Sequence, residues 1–262
     1  TIKADKYVLF GEYHGGEQAS IGLICHELGH LFFNLPDLYD RDGSSAGAGN
    51  WGVMSFGTWN SSGAQLGDRP ANMLAWSKQR IGFLELDTIS EQSILQPGGA
   101  YKISTGIDKE YFIIEYRQKK GFDEGLAGEG VLVTHVDESV SGFNDNEGHK
   151  FLDVEEASGF QDLDNFSNYG QASDLFASQE GLWNFDAQTW PNSDSYQKGP
   201  TSIELQFSAA AEEGAILVNF QKTTNLTDDS LKLGSIDWHV LLFCFFVSLM
   251  RILYAGIIRQ FK

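Results

Sequence analysis

The sequence predicts an α+β protein, and three observations carry that reading. An apolar stretch over residues 17–33 repeats at intervals of three and four. From about residue 85 short β-branched and aromatic runs alternate with turns. Residues 238–258 are almost wholly apolar. The chain has 262 residues, 42% of them hydrophobic, enough for one or two domains with real cores. The expected division is an α-containing segment at 1–84, a β-rich, sandwich-like domain at 85–221, a polar linker at 222–235 and a hydrophobic helical tail at 236–262.

Residues 7–11 (YVLFG) are aromatic and β-branched, end at glycine, and read as a strand. His14 and the two glycines after it form a turn. The spacing of Ile21, Ile24, Cys25, Leu28, Leu31 and Phe32 predicts a helix over 17–33. Asn34, a residue tolerant of left-handed backbone, and then Pro36 stop it. Residues 41–50 are a glycine- and serine-rich loop, and 70–80 (PANMLAWSKQR) read as a second helix with proline in its first turn. Strands are expected at 111–116, 130–136, 202–207 and 215–220. The tail at 238–258 is about long enough to span a bilayer. Arg251, Arg259 and Lys262 gather at its C-terminal side, which would leave that end cytoplasmic and the rest of the chain outside. A cleaved sorting tail is the alternative. The chain begins at Thr1 without a basic start and apolar run, so the expectation is a start inside a domain rather than at a signal peptide.

The chemistry lies in His26-Glu27-Leu28-Gly29-His30, an HExxH motif. On a helix, positions four apart share a face, so both imidazoles can point at one metal ion. Glu27 sits about 100° around from His26, within reach of a water at that metal as a general base. Imidazole nitrogen suits Zn2+. A third ligand is found by elimination. Between His30 and Glu85 there is no glutamate, and between His30 and His135 no histidine, which leaves Asp37, Asp40 and Asp42. A sharp turn at Asn34 would swing Asp37 back toward the histidines, so Asp37 ranks first and Asp40 second.

The runs HELGHLFFNLPDLYD, DGSSAGAGNWGVMSFGTW and GDRPANMLAWSKQRIGF resemble the immune inhibitor A family of secreted bacterial metallopeptidases, a family similar to the metzincins. Stretches such as EYFIIEYRQKKGFDEGLAGEGVLVTHVDE and PNSDSYQKGPTSIEL extend the resemblance over most of 7–220. It implies a truncated metzincin-like zinc peptidase domain, with strands that precede the active-site helix in that fold lying outside this chain. It also implies His26 and His30 as ligands, Glu27 as base, Asp37 as third ligand and Met54 as the methionine beneath the metal. In this chain Asn34 stands at the family's turn glycine, one residue further from His30 than the usual spacing.

Formal net charge is −18, which excludes a phosphate-binding surface of clustered Lys and Arg and hence nucleic acid as partner. Acidity suits solubility, or hard cations. Asp40 and Asp42 precede a glycine in an oxygen-rich loop, and residues 137–164 hold nine acidic side chains and one basic one, Lys150. Asp153, Glu155, Glu156, Asp162 and Asp164 join Asp40 and Asp42 as candidate Ca2+ ligands. His135 reads as a packed strand residue. The two cysteines, Cys25 and Cys244, are not expected to pair. The leading expectation is therefore a secreted or cell-surface zinc endopeptidase acting on proteins or peptides, its tail associated with a membrane. The alternative is a non-catalytic surface module that binds zinc or calcium.

Overall fold

The computed structural model describes residues 6–14, 16–212 and 214–222. The tail and Cys244 lie outside the described residues. Within them no helix is long and apolar enough to cross a membrane.

The motif helix, α1 (Ile21–Phe33), buries only Gly22, His26 and Gly29, a narrow stripe with two glycines in it. The glycines are required by close approach. A Cβ on Gly22 would lie 1.9 Å from the Thr58 carbonyl oxygen, and one on Gly29 2.5 Å from the Met54 sulfur. The helix thus rests directly on the 53–58 loop. It starts later than periodicity suggests, because Glu17–Gln18 (β2) pairs with Tyr13–His14 (β1) in a small hairpin. Asn34 ends it in left-handed backbone (φ 54°), as expected. The N–H groups of Asn34 and Leu35 close on the His30 and Gly29 carbonyls. The strand expected at 7–11 does not form. Residues 6–11 have no regular hydrogen-bonded structure, because no neighbouring strand among the described residues offers them a ladder. The second helix is shorter than expected. It is α2 (Ala75–Arg80), and 71–74 lead into it as loop.

The β-rich region forms two sheets. Asp87–Thr88 (β3), Ala100–Ile107 (β5), Glu110–Arg117 (β6), Gly130–Asp137 (β7) and Leu152–Val154 (β8) make one, in the order β3-β5-β6-β7-β8, antiparallel except for β3 beside β5. Gln92–Leu95 (β4), Trp183–Phe185 (β9), Ile203–Ala209 (β10) and Ile216–Lys222 (β11) make the other, antiparallel in the order β4-β11-β10-β9. Phe112, Ile114, Val131 and Val133 on one side of the larger sheet pack with Phe185, Leu205, Phe207 and Val218 of the smaller one. On its opposite side, Ile113, Leu132 and Leu152 share a second core with Leu38, Trp51, Met54, Leu74 and Trp76. The larger sheet is therefore the middle layer, and every residue of β6 and β7 is buried. The described residues belong to one compact unit, and its second core runs across position 84.

Two buried side chains of that middle layer reach into the first 84 residues. Glu115, 3% exposed, accepts from the Ala75 backbone N–H at 3.0 Å and from Lys78 Nζ at 3.1 Å, which fixes the start of α2. Arg117, 2% exposed, donates to the Trp51 carbonyl at 2.7 Å and to both oxygens of Asp123. Asp123 also takes the Asn72 N–H. The sheet thereby holds the loop that carries Met54.

Candidate metal centre

The helix brings His26 and His30 onto one edge, and two backbone carbonyls set their tautomers. His26 Nδ1 lies 2.8 Å from the Val53 carbonyl oxygen, and His30 Nδ1 lies 2.7 Å from that of Leu35. A carbonyl oxygen can only accept, so both Nδ1 atoms carry the hydrogen and both Nε2 atoms present lone pairs. Those two Nε2 atoms face each other at 3.0 Å. The turn at Asn34 returns the chain so that Asp37 Oδ1 lies 3.2 Å from His26 Nε2 and 3.1 Å from His30 Nε2. Asp37 Oδ1 is buried with no other partner.

Three acceptors around one point repel unless a cation lies among them. Ligands held about 2.0–2.1 Å from one tetrahedral zinc stand ~3.3 Å apart, close to what is seen. In the metal-free protein a proton must play the cation's part. Burial pushes the Asp37 carboxyl up, but its contacts with His26 and His30 outweigh burial and hold it well below the usual carboxylate range. The same Asp37 contact raises His30. The residues present thus fit a zinc ion, with Met54 (1% exposed) packed beneath α1 against Gly29. Glu27 is half-buried, and among the described residues its carboxylate has no hydrogen bond or ion pair. It lines a cavity of about 610 Å³ together with Tyr7, Leu9, His30 and Asn34. Residues 6–9 thus border the cleft, though not as a strand. A second cavity of about 450 Å³ opens on the Asp37 side and shares His30 and Asn34 with the first.

Tyr39 is a neighbour that sequence reading missed. Its ring stacks on His26 with centroids 6.2 Å apart, and burial and Asp37 raise its phenol pKa. Its only sequence signal is a position two residues past Asp37.

The candidate calcium ligands divide. Asp40 and Asp42 come together with Glu147, their oxygens within 4.8 Å, a partner more than a hundred positions away that local reading could not supply. Asp40 is turned into its own loop rather than toward the histidines. Burial pushes its carboxyl up, yet hydrogen bonds from Ser44, Asp42 and Ser45 lower it to about 2. Asp153, Glu155, Glu156, Asp162 and Asp164 form no such cluster. Buried Lys150 pairs with Asp153 and Asp164. His135 pairs with Glu155 and Glu110, and Glu156 accepts from the Asp162 and Leu163 N–H groups. Asp162 accepts from the Gln171 side chain. Lys150 and His135 thus answer Asp153, Asp164 and Glu155, while burial pushes Glu156 up to about 7. His135 is a packed strand residue, stacked on Tyr196.

No curated protein matches the chain. Residues 4–84 match the family profile described as the immune inhibitor A peptidase M6 catalytic domain, which contains the motif helix, Asp37 and Met54. Peptidases of this kind act on proteins or peptides and imply a metal. Over residues 4–84 the chain is thus similar to the catalytic domain of the immune inhibitor A peptidases of family M6.

Proposed function

We propose that the protein is a zinc-dependent endopeptidase, with His26, His30 and Asp37 as the metal ligands and Glu27 as general base. The observation that carries this is the convergence of two Nε2 lone pairs and a carboxylate oxygen within 3.2 Å, beside a glutamate with no partner among the described residues. A bound zinc supplies Lewis-acid polarisation of the scissile carbonyl and acidifies water. Val53 and Leu35 hold both imidazoles in the ligating tautomer. Glu27 faces the cleft, takes the proton of the attacking water and returns it to the leaving amine. Met54 and the glycine stripe of α1 fix the floor on which the histidines stand.

The family match, which ends at residue 84, supports placing the chemistry in 1–84 and a supporting role in 85–221. A secreted or cell-surface location, with 238–258 associated with a membrane, belongs to the same proposal and rests on composition alone. Calcium at Asp40, Asp42 and Glu147 would bind apart from the chemistry.

The test is zinc content and casein cleavage for wild type, Glu27→Ala and Asp37→Ala. Wild type and Glu27→Ala should each hold about one zinc, with cleavage at least ~100-fold lower in the variant. Asp37→Ala should lose zinc under mild chelation. Tight zinc binding by a wild type that cleaves nothing would instead favour the non-catalytic surface module.

A further inference from the structure

The cavity on the Asp37 side adjoins the proposed metal position, since His30 and Asp37 form part of its wall. Its other walls include Trp76, Phe143 and Phe151, and Arg41, Arg80 and Glu138 line it as well. At about 450 Å³ it takes one large side chain and its surroundings.

The two guanidiniums differ in what they have left to offer. Arg41 is already paired with a carboxylate, donating to both oxygens of Asp145 and to the Gly142 carbonyl. Arg80, at the end of α2, makes no ion pair or hydrogen bond among the described residues through its guanidinium. Glu138 is already engaged, because its Oε1 accepts from Trp76 Nε1 at 3.1 Å and from the Tyr111 hydroxyl at 2.8 Å. Asp37 is committed to the histidines. In a chain with 36 acidic and 18 basic side chains, a guanidinium without a carboxylate partner at the rim of the cleft is informative. It offers a planar, permanently charged fork that matches a carboxylate.

We infer that this cavity is a specificity subsite and that Arg80 selects a substrate residue with an acidic side chain next to the scissile bond. The aromatic walls take the methylene stem, and Arg80 takes the carboxylate. The inference rests on the peptidase reading, because only cleavage at the metal makes the cavity a subsite.

Both binding and turnover test it. In the zinc-loaded Glu27→Ala chain, peptides that differ only in Glu, Gln or Lys at one position are titrated by calorimetry, with Arg80 present and with Arg80→Gln. Arg80 is exposed, so the Glu peptide should bind about fivefold more tightly than the Gln peptide. That preference should vanish in Arg80→Gln and reverse toward Lys in Arg80→Glu. In the catalytically intact chain, kcat/KM should show the same order, and the Glu preference should be lost in Arg80→Gln. Cleavage or binding with no Glu preference, or a preference that survives Arg80→Gln, overturns the subsite and leaves the peptidase reading intact. A zinc-loaded wild type that cleaves none of the peptides overturns both.

Discussion

Gly29 shows how little space separates the motif helix from the loop beneath it. A methyl group there would meet the Met54 sulfur at 2.5 Å. Alanine is the better helix former by about 1 kcal/mol. Overpacking a fully buried contact costs about 1–3 kcal/mol, and the loop is held on its far side by the sheet. Gly29→Ala should therefore be net destabilising by up to about 2 kcal/mol, seen as a lower urea midpoint at unchanged slope. A stabilised variant would mean that Met54 yields freely and is no rigid floor. Much of the metal site was legible at this scale. The HExxH spacing sets His26 and His30 on one edge of the helix with Glu27 beside them, and Asn34 marks the turn that returns Asp37. The tautomer-setting carbonyls of Val53 and Leu35 were not legible, because a backbone acceptor leaves no trace in residue type.

Strands β6 and β7 illustrate what a period-two pattern cannot tell. Glu115 and Arg117 alternate with apolar neighbours as solvent-facing residues would, yet both are buried, since a layer covers each side of the sheet. Their partners, Ala75, Lys78, Trp51 and Asp123, are assembled only by the tertiary fold. Existence and approximate bounds of these strands were readable from β-branched and aromatic runs, but their double burial was not. The run at 7–11 has the same local composition and forms no strand, because a strand needs a neighbour as well as propensity. Removing the Arg117 guanidinium would leave Asp123 in the interior without its cation, while Glu115 keeps Lys78. Arg117→Ala should cost about 3–5 kcal/mol by chemical denaturation. A loss below about 1 kcal/mol would show that water reaches these carboxylates.

Across the whole molecule, the acidity that suggested calcium is in large part an internal affair. The counter-charges Lys150 and His135 lie among or beside the acidic residues in sequence, but only the folded sheet shows which carboxylates they answer. Burial lowers the pKa of His135, but Glu110 and Glu155 outweigh it and raise the value to about 9. A histidine raised on folding contributes stability that is complete below its unfolded value near 6.5 and lost as pH climbs toward 9. Between pH 6.5 and 9 the protein should lose about 1–3 kcal/mol on this account. Urea midpoints across that range should fall for wild type and stay flatter for His135→Gln. Equal slopes in the two would remove His135 as the cause. The middle sheet has a longer-term consequence. One of its faces belongs to the sandwich and the other to the floor of the metal centre, so a residue of β6 answers to two neighbourhoods at once. Recombination at position 84 would part the HExxH segment from its own foundation, and a substitution tolerated by the sandwich could be rejected by the residues beneath α1.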